Sequence, residues 1–192
     1  MTPLSLDAKT TALVLIDLQR GIVSRDTKPY AAADVVARGA KLARRFRETG
    51  GMVVLVHVGY SADDGDRLKP VTDAPPAISG PLPPDWSELV PELERSPSDV
   101  VVLKRQWGAF YGTQLDLQLR RRGVRTIVIG GISTNFGVES TARDAWERNY
   151  QVVFVEDAMA GLSDDAHAFA IQNIFPRLGV VRSTEWVLSE LR

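Results

Sequence analysis

Asp17, Lys104 and the glycine-rich run GGISTNFG at 130–137 are the parts of this 192-residue chain whose types and placing could do chemistry. Asp17 follows the apolar stretch TALVLI. A carboxylate at such a place is partly desolvated, which raises its pKa and suits it to proton transfer near neutral pH. Lys104 closes VVVLK in the same manner. A lysine carried out on a buried strand needs an acidic partner, and Asp17 is the natural candidate. Each residue alone also fits a structural role, Asp17 as a cap or ion-pair member and Lys104 as a packed stem with a solvated amine. GGISTNFG matches neither G-x-G-x-x-G nor G-x-x-x-x-G-K-[ST], so it is not a phosphate loop of those types. It reads either as a plain strand-to-helix turn or as backbone N–H groups gathered at a helix start to hold negative charge.

The absences narrow the chemistry further. There is no cysteine, which excludes a thiolate nucleophile, disulfides and Cys-bound zinc. The only histidines are His57 and His167. His57 is expected to be packed or hydrogen-bonded, and His167, within a helical pattern, to be structural. No metal site and no cofactor are expected. A net charge of -1 gives no basic field for nucleic acid or an anionic membrane. No apolar run approaches the ~20 residues that span a bilayer. Residues 1–10 lack the regions of a signal peptide, so a cytoplasmic location is expected.

Val/Ile-rich runs at 11–19, 52–58, 99–104, 126–131, 151–157 and 178–182 predict strands, nearly continuous in apolar character as in a sheet covered on both faces. Helical periodicity fills 32–49, 136–149 and 164–175, and Ser183 or Thr184 is placed to cap a last helix reaching Leu191. Val138, Thr141, Ala142, Ala145 and Asn149 fall on one stripe of the second of these. Residues 113–123 mix strand and helix signals. Thr113 and Asp116 at capping-box spacing, with Arg120–Arg122 before Gly123, predict a helix. Strands alternating with helices imply βαβ units and a parallel sheet, with the working site beyond the strands' carboxyl ends. Residues 70–97 hold eight of the eleven prolines. They read as a stiff excursion forming part of a pocket wall or as a loose surface insertion in an otherwise single domain.

The segments ALVLIDLQ, VVLKRQWGAFYGT and VIGGISTNFGVESTARDAWERNY, in that order and spacing, resemble the signatures of the isochorismatase-like hydrolase family. That group includes nicotinamidases, N-carbamoylsarcosine amidases and isochorismatases, and the likeness runs from about residue 9 to 190. It implies a three-layer αβα fold with a six-stranded parallel sheet. It also implies a catalytic Asp at Asp17, a catalytic Lys at Lys104, and a non-proline cis peptide at Ile132–Ser133. Most members carry a Cys nucleophile in G-x-x-T-[DN]-x-C, a pattern that places Gly137 at the cysteine's position. The D-x-H metal motif of nicotinamidases is missing here.

The resemblance therefore implies hydrolysis of a small metabolite by an Asp/Lys pair without a thioester, as in vinyl-ether cleavage. Backbone N–H groups of Ser133 and Gly137 would act as oxyanion donors, making Gly137 part of the catalytic set. Gln19, Thr134, Trp107, Phe110 and Tyr111 would contact substrate, Phe110 being equally suited to the core. Arg20 or Arg105 is placed to bind a carboxylate. Two alternatives fit the same residues. One is an amidase using Ser133, Thr134 or Ser140 as nucleophile, although no histidine base is evident beside them. The other is a non-catalytic binding protein that kept the fold. The family tendency is a homo-oligomer, dimer or tetramer.

Overall fold

The computed structural model describes residues 6–74, 78 and 80–192. Its sheet is built from β1 (Thr11–Ile16), β2 (Met52–Val58), β3 (Val100–Lys104), β4 (Thr126–Ile132), β5 (Gln151–Ala160) and β6 (Val180–Arg182). All pairings are parallel, in the order β3-β2-β1-β4-β5-β6.

The unbroken apolar runs follow from this covering of both faces. Along β1, Leu13 and Leu15 point to one side and Ala12, Val14 and Ile16 to the other, and both sets are buried. The first side is covered by α2 (Ala32–Glu48) through Val35, Val36, Leu42 and Phe46, and by α7 (Thr184–Glu190) through Val187. The second is covered by α3 (Leu115–Arg121), α4 (Glu139–Glu147) and α6 (Phe175–Leu178), through Leu115, Leu119, Ala142, Ala145 and Phe175. Two further short helices are α1 (Arg20–Val23) and α5 (Asp164–Phe169).

Chain direction across the sheet reverses between β1 and β4. The crevice at such a switch point lies outside the strands' carboxyl ends, and it is the place where open α/β sheets bind ligands. Here those ends are followed by Asp17 and Ser133. The two strands can approach closely because Gly130 and Gly131 precede the last residue of β4. Gly131 has φ 122°, and a Cβ there would lie 2.1 Å from the Ile16 carbonyl oxygen. No side chain fits that contact.

Several boundaries differ from those the periodicity predicts. β1 stops at Ile16, because Asp17 turns into the left-handed region at φ 53°. The segment 136–149 is not helical from its start. A wide π-helical turn, Thr134–Val138, precedes α4, and Asn149 ends it at φ 65° rather than joining its stripe. The segment 164–175 is likewise interrupted by a π-helical turn at Ala170–Ile174. Such turns leave the 3.6-residue periodicity only slightly disturbed, which is why it hides them. Residues 115–121 are helical as expected, but there is no capping box. Thr113 Oγ1 accepts from the Leu115 N–H, and Asp116 accepts instead from the Tyr150 hydroxyl at 2.8 Å. Lys28–Pro29 is cis, and so is Ile132–Ser133.

The Pro-rich segment divides in two. Residues 71–74 are exposed, and 75–77 and 79 lie outside the described residues. Residues 86–93 dock on the chain leaving β1. There Trp86, Val90 and Leu93 are buried, Gly21 N–H donates to the Trp86 carbonyl at 2.9 Å, and Val90 N–H to that of Leu18 at 3.1 Å. That half is a packed wall beside the crevice rather than a loose insertion.

Candidate active site

Asp17 is set by three local facts: β1 ends one residue earlier, its own N–H donates to the Val56 carbonyl of β2 at 2.9 Å, and its φ is positive. Lys104 is the last residue of β3, and β2 stands between the two strands. Strands lie ~4.8 Å apart, so Lys104 must reach across a gap of roughly 10 Å, which only a long side chain does. Its Nζ donates to Asp17 Oδ2 at 2.7 Å, to the Gln106 carbonyl at 3.1 Å and to the Trp107 carbonyl at 2.9 Å. An ammonium has three donors, and all are used. The side chain is 2% exposed, so the pair is a buried one.

Burial dominates the carboxyl's electrostatics. It pushes Asp17 from its ordinary 3.8 up to about 6, although the Lys104 charge and hydrogen bond pull the other way. Oδ2 is held by Lys104, while Oδ1 is buried with no hydrogen-bond partner among the described residues. A buried, unpartnered carboxyl oxygen on a group titrating near pH 6 is suited to carry a proton and deliver it.

The turn after β4 faces this pair. Phe136 and Val138 N–H groups both donate to the Ser133 carbonyl, at 3.2 and 3.1 Å, which closes the wide turn around Gly137. A Cβ added at Gly137 would lie 3.2 Å from Asp17 Oδ2 and 3.5 Å from Lys104 Nζ. Any side chain at 137 would start beside both functional groups.

Other expected site residues are placed differently. Gln19 is fully buried, and its side-chain amide is consumed within the fold. Nε2 donates to the carbonyls of Val58 at 2.9 Å and Trp86 at 3.1 Å, and Oε1 accepts from Val58 N–H at 2.7 Å. It joins β1, β2 and the Pro-rich wall and has nothing left for substrate. Gln19→Leu should therefore lower stability by about 3 kcal/mol, through orphaned backbone groups, as read by chemical denaturation.

Phe110 is a core residue, 4% exposed, packed on Tyr150 with ring centroids 6.0 Å apart. Trp107 is exposed and lies against Phe136 at 4.9 Å, so it borders the turn. Tyr111 is 78% exposed, and its carbonyl accepts from Gln106 Nε2 at 2.8 Å. Arg20 pairs with Asp85 and Glu88, and Arg105 with Asp66 while donating to the Gly59 carbonyl. Neither guanidinium stands free for a substrate carboxylate.

His57 is hydrogen-bonded as expected, its Nδ1 donating to the Ser87 carbonyl at 2.7 Å. His167 is not merely a packed helix residue. Its Nδ1 lies 2.8 Å from Thr134 Oγ1, so a histidine does stand beside one of the hydroxyls of GGISTNFG. Thirty-three residues separate them, and no local pattern announces the pair. Tyr60, stacked on Trp86 with centroids 6.2 Å apart, is a further wall residue that spacing does not reveal. Among the described residues, no group of three or more His, Asp or Glu side chains converges to hold a metal ion, and no helix is long and apolar enough to cross a membrane.

The isochorismatase domain family matches residues 11–186. The chain is 52% identical over 188 residues to the isochorismatase family protein YecD of Escherichia coli O157:H7, covering 98% of this chain and 100% of that one. A solved isochorismatase family protein from Burkholderia thailandensis superposes with a TM-score of 0.93 at 49% identity over 98% of each chain. Ureidoacrylate amidohydrolase RutB of Variovorax paradoxus (strain S110) is 32% identical over 81% of this chain and 71% of its own.

Proposed function

As the chain belongs to the isochorismatase family of hydrolases, we propose that it hydrolyses a small enol ether with Asp17 as general acid, Lys104 as its partner and no covalent enzyme intermediate. The observation that carries this reading is the Asp17 carboxyl itself. One oxygen is held at 2.7 Å by Lys104, the other is unpartnered, and the group titrates at about 6 beside the side-chain-free Gly137.

In the proposed reaction, Asp17 Oδ1 gives its proton to the terminal carbon of the C=C bond, whose electron pair forms the new C–H bond. The ether oxygen shares the resulting positive charge as an oxocarbenium ion. Water adds to the ether-bearing carbon, where that charge lies, and returns a proton to Asp17. The hemiketal then collapses: its hydroxyl proton passes to the ether oxygen as that C–O bond breaks, so the alcohol leaves and a carbonyl product remains. Lys104 neutralises the carboxylate while it is ionised. Backbone N–H groups of Ser133 and Gly137 orient the substrate by holding one of its negatively charged oxygens.

The amide chemistry named for the RutB relative is a less favoured route here. The residue at 137 is glycine, and Thr134, the hydroxyl nearest a histidine, is fully buried. A role in binding alone is disfavoured by the intact 2.7 Å pair, since buried charges are costly to keep without use.

The test is a screen of isochorismate, simpler enol ethers and small amides, with kcat/KM followed against pH. The active form is protonated Asp17, so kcat/KM should be high below about pH 6 and fall about tenfold per unit above it. Turnover of amides alone, or a rate that rises through pH 6, would sink the reading.

A further inference from the structure

Thr134 and His167 take no part in the steps above, yet both are buried side chains with chemistry of their own. Thr134 is 0% exposed and His167 4%. The ring's Nε2 is buried without a partner among the described residues, so the 2.8 Å contact at Nδ1 is its one polar tether. Burial pulls the imidazole below its ordinary pKa, against the opposing pull of Asp164, and the ring is therefore neutral at pH 7. Tyr30 packs edge-on to it at 6.2 Å.

The turn between β4 and α4 is thus held at both ends. At its start Thr134 is tied to His167 of α5. At its end the Gly137 carbonyl accepts from Thr141 Oγ1 at 2.7 Å, and that hydroxyl accepts from Ala109 N–H at 3.1 Å. The second tie lies inside α4 and the neighbouring loop. Only the first reaches across to a helix that follows β5.

We propose that His167 is a positioning residue, whose bond to Thr134 fixes the turn 133–138 so that Gly137 stays against Asp17 and Lys104. The consequence for turnover rests on the function proposed above, but the fixing of the turn does not. Thr134 acts as the link and not as a nucleophile, since its side chain has no exposed surface.

Four substitutions separate a hydrogen bond from packing. Thr134→Val keeps shape and loses the hydroxyl, while Thr134→Ser keeps the hydroxyl and loses a methyl. His167→Asn puts an amide near the Nδ1 position, while His167→Gln is closer in volume but puts its amide near Nε2. The readout is amide hydrogen exchange, by NMR, at Phe136 and Val138, both bonded to the Ser133 carbonyl. Exchange should quicken about tenfold or more in the Val and Gln variants and stay within about threefold of wild type in the Ser and Asn variants. If the Val and Gln variants keep wild-type exchange, or the Ser and Asn variants quicken as much as they do, packing alone holds the turn and the proposal is overturned. Because the measurement uses no substrate, that outcome leaves the role of Asp17 standing, and failure of the enol-ether screen leaves this one standing.

Discussion

Asp17→Asn is expected to leave the protein folded and to lower kcat/KM by about 10²–10⁴, the usual worth of a positioned general acid. Asparagine keeps an oxygen for Lys104 Nζ, which now sits 2.7 Å from Oδ2, but it has no proton of the required acidity. The same substitution carries a stability signature. The folded-state pKa of about 6 stands above the ordinary 3.8, so between these values the folded protein binds more protons than the unfolded chain. Stability contributed by this group is therefore fully present below pH 3.8 and is lost as pH rises through about 6. Across that window the melting temperature of wild type should fall relative to that of Asp17→Asn, as scanning calorimetry at several pH values would show. An unchanged difference would mean that Asp17 is not desolvated as the structure has it.

Lys104→Met is expected to be the most damaging single change to stability. It removes three donated hydrogen bonds at once, leaving the Gln106 and Trp107 carbonyls and Asp17 without their partner. Breaking a buried ion pair from one side typically costs about 3–5 kcal/mol. It also has a direction in pH. Lys104 is what pulls the Asp17 pKa down against burial, so without it the carboxyl rises above about 6 and the falling limb of kcat/KM moves to higher pH. The double variant Asp17→Asn, Lys104→Met should be less destabilised than the sum of the single ones, because neither leaves a charge stranded in it. Additive losses, or a limb that moves to lower pH, would contradict the pairing. Both are measured by denaturant titration and by the pH dependence of rate.

The sheet was legible because its signal is local. The inner strands β1, β2, β4 and β5 are buried on both faces over most of their length, so each is written as a run of apolar residues, and the helices between them carry stripes such as Val35, Val36, Leu42 and Phe46. The two π-helical turns were not legible, since one extra residue in a turn barely alters such a stripe. Asp17 and Lys104 illustrate a different limit. Each alone reads as a structural residue; the need of a buried lysine for an acidic partner suggests the pair, and the resemblance to a family is what implies a catalytic role for it. The geometry places them 2.7 Å apart through strand order, a non-local property.

Gln19 shows the converse error. Its place two residues beyond Asp17 suggests a ligand contact, yet backbone groups of Val58 and Trp86, 39 and 67 residues away, occupy its amide. The Thr134–His167 bond was hidden for the same reason. Pairings closed across long separations leave no spacing to read.

The proposed chemistry depends on the state of one carboxyl, and the most direct measurement of it is a ¹³C NMR titration of the Asp17 Cγ, assigned by its disappearance in Asp17→Asn. A midpoint at about 6 is expected in the wild-type protein and a higher one in Lys104→Met. A midpoint near 3.8, or one that Lys104→Met leaves in place, would contradict the proposed chemistry.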